Sequence, residues 1–446
     1  MNATNLSISA PGASRDNFGP QTETKNSTQS RAIKKLLTIA IVLFGFLAVS
    51  RARASVLYFV TDLGALDGTN STALGINNSG QIVGSYSAVS GTHAFLYSGG
   101  TMQNIAQLGS STSVAYGINN SGQIVDKFDL TVGAEPRAFL YSGGTFINLG
   151  TLNGNQTGAE SYAYAINNNG QIVGKSSPTN GIATAAIAFL YTGGTMASLG
   201  APGMTSEATA INDSGQIVGD YSIDAPSSTV AFLYESGIVT AIAAQGALVP
   251  AKAGGINNSG DIAGTASSSA HSTSTEAYLD AGQILSNLSA SGSAFSLYHA
   301  TAINSSNQIV GWVGDSAGNS ESAVLYSGGA IVGLNTLIDP SSGWQLERTH
   351  AINDFGQIVG DGLNSQGQSH AFLLTPYPAL GIALRGSNVI ITWPADATNG
   401  TLCASSNING ANWLPAGGSQ AIVGSQYQIT LPLILCSNQF FRLQSN

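Results

Sequence analysis

The sequence predicts an all-β protein: a seven-bladed β-propeller closed by its own N-terminal strand, followed by a small β-sandwich. Three observations carry this expectation. A nine-residue phrase, Ile76-Asn77-Asn78-Ser79-Gly80-Gln81-Ile82-Val83-Gly84, returns from Ile118, Ile166, Ile211, Ile256, Ile303 and Ile352, at spacings of 42, 48, 45, 45, 47 and 49 residues. A second phrase, Ala94-Phe95-Leu96-Tyr97-Ser98-Gly99-Gly100-Thr101, follows each copy; it recurs from Ala138 and Ala188, more loosely from Ala231, Ala277 and Ala323, and as a half-copy from Ala371. Only 8% of the 446 residues are charged while 55 are Gly, which suits short strands and many tight turns. A fixed period of this length means one large repetitive domain rather than the two or three that the length alone would suggest.

Taken in order, residues 1–54 read as a polar extension and a secretory signal. Arg31, Lys34 and Lys35 precede an apolar run from Leu36 to Ser50, and Ala52-Arg53-Ala54 gives a small-residue cleavage site after Ala54. The run is short for a bilayer span, which needs about 20 residues. The expectation is a mature chain without a membrane span, located outside a bacterial cell or on its surface. Cleavage leaves seven basic and 21 acidic side chains, a net charge of −14. A chain so acidic, with no basic cluster, is a poor partner for nucleic acid.

Each repeat within 55–376 reads as four strands. In the first copy, Ala73 to Ile76 is an apolar strand and Asn77-Asn78-Ser79-Gly80 is a turn. Gln81 to Tyr86 is a second strand centred on β-branched Ile82 and Val83. Ala94 to Tyr97 is a third strand, continuous in its apolar character as in a sheet buried on both faces. After Ser98-Gly99-Gly100 a fourth runs from Thr101 to Leu108. Four short strands per period of about 45 residues are the signature of a propeller blade. No segment carries a helical apolar period. A solenoid is the competing architecture, and the ends of the repeat region argue against it. The seventh repeat stops after its third strand, His370 to Leu374, while Tyr58-Phe59-Val60-Thr61-Asp62-Leu63-Gly64 matches a fourth strand such as Phe146 to Gly150 and has no partners before it. The N-terminal strand is expected to complete the last blade and remove its open edge.

The phrase pair resembles the HAF repeat of bacterial extracellular proteins, named for the tripeptide present here as His93-Ala94-Phe95 and His370-Ala371-Phe372. The resemblance implies an extracellular repeat protein and no established activity. Arg137, Ile187, Val230, Glu276 and Ser322 replace the His in the other repeats, so the His is no obligatory ligand.

Residues 377–446 differ in composition. Val389 to Trp393, Thr401 to Ala404, Tyr427 to Leu431 and Phe440 to Leu443 read as strands of the sandwich. The chain's two cysteines, Cys403 and Cys436, fall here, and in a secreted protein they are expected to form a disulfide. The pattern Trp393, Trp413 and Phe440-Phe441-Arg442-Leu443 resembles, more weakly, fibronectin type III or immunoglobulin-like modules, which implies attachment, spacing or export.

Loop lengths point to a working face. The first turn spans six residues from Ile to Ile in all seven repeats, and the third-to-fourth connection is equally constant. The second-to-third connection varies from 10 to 14 residues and the link to the next repeat from 16 to 22. In an up-and-down blade the constant turns lie at one end and the variable loops at the other, where function usually sits. The candidate binding residues there are Tyr86, Phe128, Tyr221 and Trp312 as aromatic platforms. The acids Asp126, Asp129, Asp220, Asp224, Asp315 and Asp361 are the candidate acceptors. No catalytic site stands out. The five His show no metal spacing, Asn212-Asp213-Ser214-Gly215 is a turn rather than a calcium loop, and no nucleophile elbow or phosphate loop is present. No cofactor or metal is expected. The leading reading is a binding scaffold for extracellular polysaccharide or protein. The alternatives are a polysaccharide-active hydrolase or lyase, for which closely paired acids would speak, and a structural envelope or matrix protein.

Overall fold

A computed structural model describes residues 57–105, 112–129, 135–152, 154, 158–177, 186–223, 229–244, 248–268, 271–289, 297–314, 321–377, 380–394, 400–405, 414–418, 420–423, 426–432 and 440–445. The expected leader, 1–54, lies outside them, as do Asp224, Asp315, Trp413 and Cys436.

The repeat builds an antiparallel sheet in sequence order. Asn70–Ile76, Ile82–Ala88, Gly91–Ser98 and Thr101–Asn104 pair successively, and the pattern recurs over 113–150, 160–198 and 205–241. The fifth and sixth groups, 248–287 and 297–333, have the same internal order but count as one eight-stranded sheet, because a single parallel pair, Thr275 with Leu297, joins them. In the last sheet Tyr58–Asp62 adds antiparallel to Ser369–Pro376, in register from Tyr58 with Pro376 to Asp62 with Phe372. The chain's first described strand thus occupies the fourth place in its last sheet. His370 reinforces the closure, its Nδ1 lying 2.9 Å from Asp62 Oδ1.

The phrase Ile-Val explains how sheets stack. Successive strand residues point to opposite faces. Ile82 packs toward the last sheet, with Val359 and Ala371, and Val83 packs toward the second, with Ala115 and Ile124. All six are fully buried. Each such Ile or Val contributes about 1.5–3 kcal/mol through burial. The glycine that follows is a steric necessity. A Cβ on Gly84 would sit 2.0 Å from the Thr72 carbonyl oxygen and 2.9 Å from the Phe95 ring.

The Asn that opens each turn does more than turn chemistry requires. Asn77 Oδ1 accepts from the backbone N–H of Ser79 (3.0 Å) and Gln81 (2.9 Å). Its Nδ2 donates to Gln81 Oε1 (2.8 Å) and to the main-chain carbonyl of Asn119 in the next repeat (3.0 Å). Asn119 donates likewise to Asn167, Asn167 to Asn212, Asn212 to Asn257, Asn257 to Asn304 and Asn304 to Asn353, and Asn353 returns to Asn77 at 3.1 Å. The circuit is closed, so the sheets are arranged around one axis as a β-propeller. The residue after the Asn runs a second, more exposed series that is open between Asn258 and Ser305, for example Asn78 N–H to Asn120 Oδ1 and Asp354 N–H to Asn78 Oδ1.

Each first strand also carries a β-bulge two residues before its Ile, marked by register shifts such as Ala73/Gly75 and Ala115/Gly117. The unpaired residues are Leu74, Tyr116, Tyr164, Thr209, Gly254, Thr301 and His350. A bulge re-aims its side chain. Thr209 and Thr301 use theirs to clasp the following sheet, donating to the Ala253 and Thr349 carbonyls at 2.7 and 2.8 Å.

Beyond Pro376, one sheet has the order Gly381–Arg385, Asn388–Pro394, Gln426–Pro432, Gln420–Val423, and a second has Leu414–Pro415, Gly400–Ser405, Phe440–Ser445. Ile391, Trp393, Ile429 and Leu431 of the first bury against Leu402 of the second. The expected disulfide is not seen among the described residues: Cys403 is buried, and Cys436 lies outside them.

The closed circuit predicts a sharp difference between neighbouring positions. Asn212→Ala strands two turn N–H groups and a carbonyl in the interior and is expected to cost about 2–4 kcal/mol in urea unfolding. Asn258→Ala, on the exposed series, is expected to cost about 1 kcal/mol or less. Equal losses would mean the buried circuit is not a principal support.

Candidate functional site: the axial rim

Two register positions bring side chains together at the variable-loop end of the axis. One is the fourth residue before the first-strand Ile: Thr72, Val114, Tyr162, Glu207, Lys252, His299 and Arg348. The other is its cross-strand partner: Ser85, Lys127, Lys175, Asp220, Thr265, Trp312 and Asp361. Most of these are half-buried; Asp220 and Thr265 are buried, and Lys252 and Arg348 are exposed.

The structure divides the sequence-derived candidates by strand parity. Trp312, Asp220 and Asp361 belong to the rim positions. Tyr86, Phe128 and Tyr221 are one residue further along, so they point to the other side of the sheet and are 3, 5 and 7% exposed. They are core residues between sheets, Tyr86 near Phe95 and Tyr221 near Phe232, and cannot serve as open platforms. Asp126 is one residue too early: it stands where the other repeats have the buried Gly, and is 1% exposed. Its Oδ1 accepts from Val114 N–H at 2.9 Å, while Oδ2 has no partner. Asp129 accepts from the Thr112 hydroxyl.

Sequence reasoning found Trp312, Asp220 and Asp361 but missed the other side chains that build the rim. In the second and third repeats, Tyr116 and Tyr164, both at bulges, meet edge to face at 5.3 Å, and Tyr162 lies 6.3 Å from Tyr164. Lys175 Nζ stands 5.5 and 5.6 Å from the rings of Tyr162 and Tyr164 and 3.0 Å from Glu207 Oε2. Lys127 Nζ is 5.9 Å from the Tyr162 ring. Such cation–π contacts strengthen as water is excluded. In the sixth and seventh repeats His299 stacks on Trp312 at 3.9 Å and the Arg348 guanidinium lies 5.3 Å from the same ring. Arg348 Nη2 donates to Glu321 Oε1 at 2.6 Å, and His350 Nε2 is 2.6 Å from Asp361 Oδ1. The signal in the sequence was the alternation along each strand: Lys127, Lys175, Asp220, Trp312 and Asp361 all follow the Ile by three residues.

Burial sets the electrostatics. It lifts Asp126 to about 8, against the lowering effect of the Val114 N–H, and it lifts Asp220 to about 6 with help from neighbouring Glu207. Burial also raises Tyr116 to about 12 and raises Glu347, the latter with the added repulsion of Asp361 and Glu321. Burial lowers His299.

At the opposite end of the axis these turns enclose a polar cavity of about 180 Å³, lined in each repeat by the Ile, the Asn and the next residue. Among the described residues no three His, Cys, Asp or Glu side chains gather as a metal site. The His of the tripeptide has structural roles here: His93 is buried, its Nε2 bonded to the Ser90 hydroxyl at 2.7 Å.

The raised carboxyls make stability pH-dependent. Unfolded Asp titrates near 3.9, so folding favours the protonated forms of Asp126 and Asp220. Their contribution is full below about pH 4 and is lost as pH rises through about 6 for Asp220 and about 8 for Asp126. Urea-unfolding free energy is expected to fall from pH 4 to 8, by up to about 1.4 kcal/mol per unit per group. Asp126→Asn keeps an acceptor for Val114 and should remove its share of the slope; an unchanged slope would exclude Asp126 as its source.

No protein-family model matches the chain, and no curated protein does. Solved structures do resemble it. A puromycin-hydrolysing peptidase of Mycobacterium tuberculosis aligns with a TM-score of 0.50 and 11% identity over 75% of this chain. The chain spans 59% of that peptidase. An oligogalacturonate lyase in complex with manganese aligns with a TM-score of 0.50 and 10% identity, covering 71% of this chain and 93% of the lyase. The β-propeller domain of the trilobed protease from Pyrococcus furiosus aligns with a TM-score of 0.44 and 10% identity, covering 59% of this chain and 84% of that domain. At such identities the likeness is one of fold alone.

Proposed function

We propose that this protein is an extracellular glycan-binding scaffold of bacteria, a HAF-repeat protein that takes its ligand on the axial rim of a seven-bladed propeller. Counting the eight-stranded sheet as two blades rests on the single pair, Thr275 with Leu297, that joins its halves. The two facing sheets after Pro376 are read as a small sandwich that spaces or attaches the propeller. Export rests on the basic flank, apolar run and Ala52-Arg53-Ala54. A disulfide between Cys403 and Cys436 belongs to the same reading; intact mass after thiol alkylation, with and without reductant, tests it.

The observation that carries the binding reading is the set of half-buried rings and hydrogen-bonding groups shared by several repeats at one end of the axis: Tyr116, Tyr162, Tyr164 and Trp312 among Lys, Glu, Asp and His. A sugar ring has an apolar C–H face and a polar hydroxyl edge, and such a rim offers both contacts. The strand ends nearest the rim lead into the connections of variable length, where a rigid scaffold commonly supports a ligand.

A second reading, a polysaccharide hydrolase or lyase, is favoured by Glu207 and Asp220. They face each other across neighbouring strands, with Glu207 paired to Lys175 at 3.0 Å while burial, with neighbouring Glu207, raises Asp220 to about 6. Two acids in unlike surroundings are how acid and base roles are divided.

Thermal-shift titration of residues 55–446 against a panel of neutral and acidic polysaccharides tests the first reading. A saturable rise in Tm with one class is expected by mass action. Trp312→Ala and Tyr164→Ala should each weaken it by about tenfold, the size of one lost contact of roughly 1.4 kcal/mol. No rise with any glycan would sink it. New reducing or unsaturated ends, lost in Asp220→Asn, would favour the enzyme.

A further inference from the structure

The propeller is strongly acidic, yet its cations are gathered in one place. Residues 57–377 contain five Lys and Arg against twenty Asp and Glu. Four of the five, Lys127, Lys175, Lys252 and Arg348, occupy the two rim positions. Two of them are neutralised within the protein, Lys175 by Glu207 at 3.0 Å and Arg348 by Glu321. The other two feel carboxyls only at longer range, Lys127 that of Asp126 and Lys252 that of Asp220. Among the described residues, no carboxylate lies within ion-pair distance of Lys127 or Lys252. Lys127 is half-buried against the Tyr162 ring, and Lys252 is exposed. They belong to the second and fifth repeats, three steps apart around the asparagine circuit, and so flank the axis from different sides. One small anion would meet only one of them. A chain laid across the rim would meet both.

We propose that the glycan bound here is a carboxylated one, a linear uronate-bearing chain whose acid groups meet Lys127 and Lys252. The inference rests on the glycan reading above and names its ligand class. An ammonium group outside any ion pair makes a stronger bond to a carboxylate than to a neutral hydroxyl. The surrounding acids confine such a chain to the rim: elsewhere it meets like charge, and their repulsion is screened beyond about 8 Å at physiological salt.

Isothermal titration with polygalacturonate, and with the same polymer fully methyl-esterified, separates the two claims. The free acid is expected to bind at least about tenfold more tightly, with affinity falling as salt rises. Lys252→Gln, an exposed change that leaves packing intact, and Lys127→Gln should each reduce the preference several-fold; far-ultraviolet circular dichroism confirms the fold of both. Alginate and hyaluronan, tested in parallel, extend the acid series. Equal binding of acid and ester, or a preference untouched in both Lys variants, would overturn the carboxylate assignment and leave glycan binding standing. Binding of a neutral glycan with no acidic polymer bound would do the same. Failure of every glycan would overturn both.

Discussion

The primary carboxamide of one asparagine per repeat holds this protein together. A single Asn side chain closes its own turn through two accepted bonds, orients the Gln at the end of that turn, and reaches the backbone of the next repeat. Only an amide both donates and accepts with this geometry. All of it occurs in a buried place, where an unmade bond is costly. The constraint propagates: six residues from Ile to Ile, a left-handed residue at the turn's fourth position, and strands whose Ile and Val interleave with those of adjacent sheets. Asn307 takes the left-handed place that glycine holds elsewhere, with φ of 55°, consistent with the tolerance of Asn for that conformation.

Because the constant turns are locked at one end of the axis, variation accumulates at the other. There the bulge in each first strand and the residue three beyond each second-strand Ile bring unlike side chains into a ring. The repeats are near-copies in the core and different at the rim. That division lets one scaffold hold a Tyr cluster in one sector and a Trp, His and Arg stack in another without disturbing packing. The cost appears in the second repeat, where a carboxyl occupies the glycine position and is kept largely protonated by burial.

Strand order, turn positions and the pairing of Tyr58–Asp62 with the last repeat could all be read from the chain, because each follows from local period and from an unmatched strand at either end. The site was harder. Tyr86, Phe128 and Tyr221 attract attention as aromatics, but a strand alternates every residue, and a shift of one exchanges rim for core. Bulges are invisible to a simple period-two reading, so Tyr116, Tyr164 and His350 were overlooked. The asparagine circuit left a trace that turn propensity does not explain. The first turn position is Asn in all seven copies, whereas the second varies among Asn, Asp and Ser. Turn chemistry alone would tolerate the same variation at both. Cys403 is a different case, since its proposed partner, Cys436, lies outside the described residues.

The strand contributed by the N-terminus has a consequence for how the protein comes into being. Its partners, His370 and Asn364 among them, are more than 300 positions away along the chain. Sheets in the middle can form as soon as their own hairpins exist, since nearly all their pairing is local. The terminal one must wait for almost the whole polypeptide. Long-range pairing of this kind slows folding, so ring closure is the final cooperative event. Until then two β edges stay bare, and a newly made molecule is most prone to associate with its neighbours in that interval.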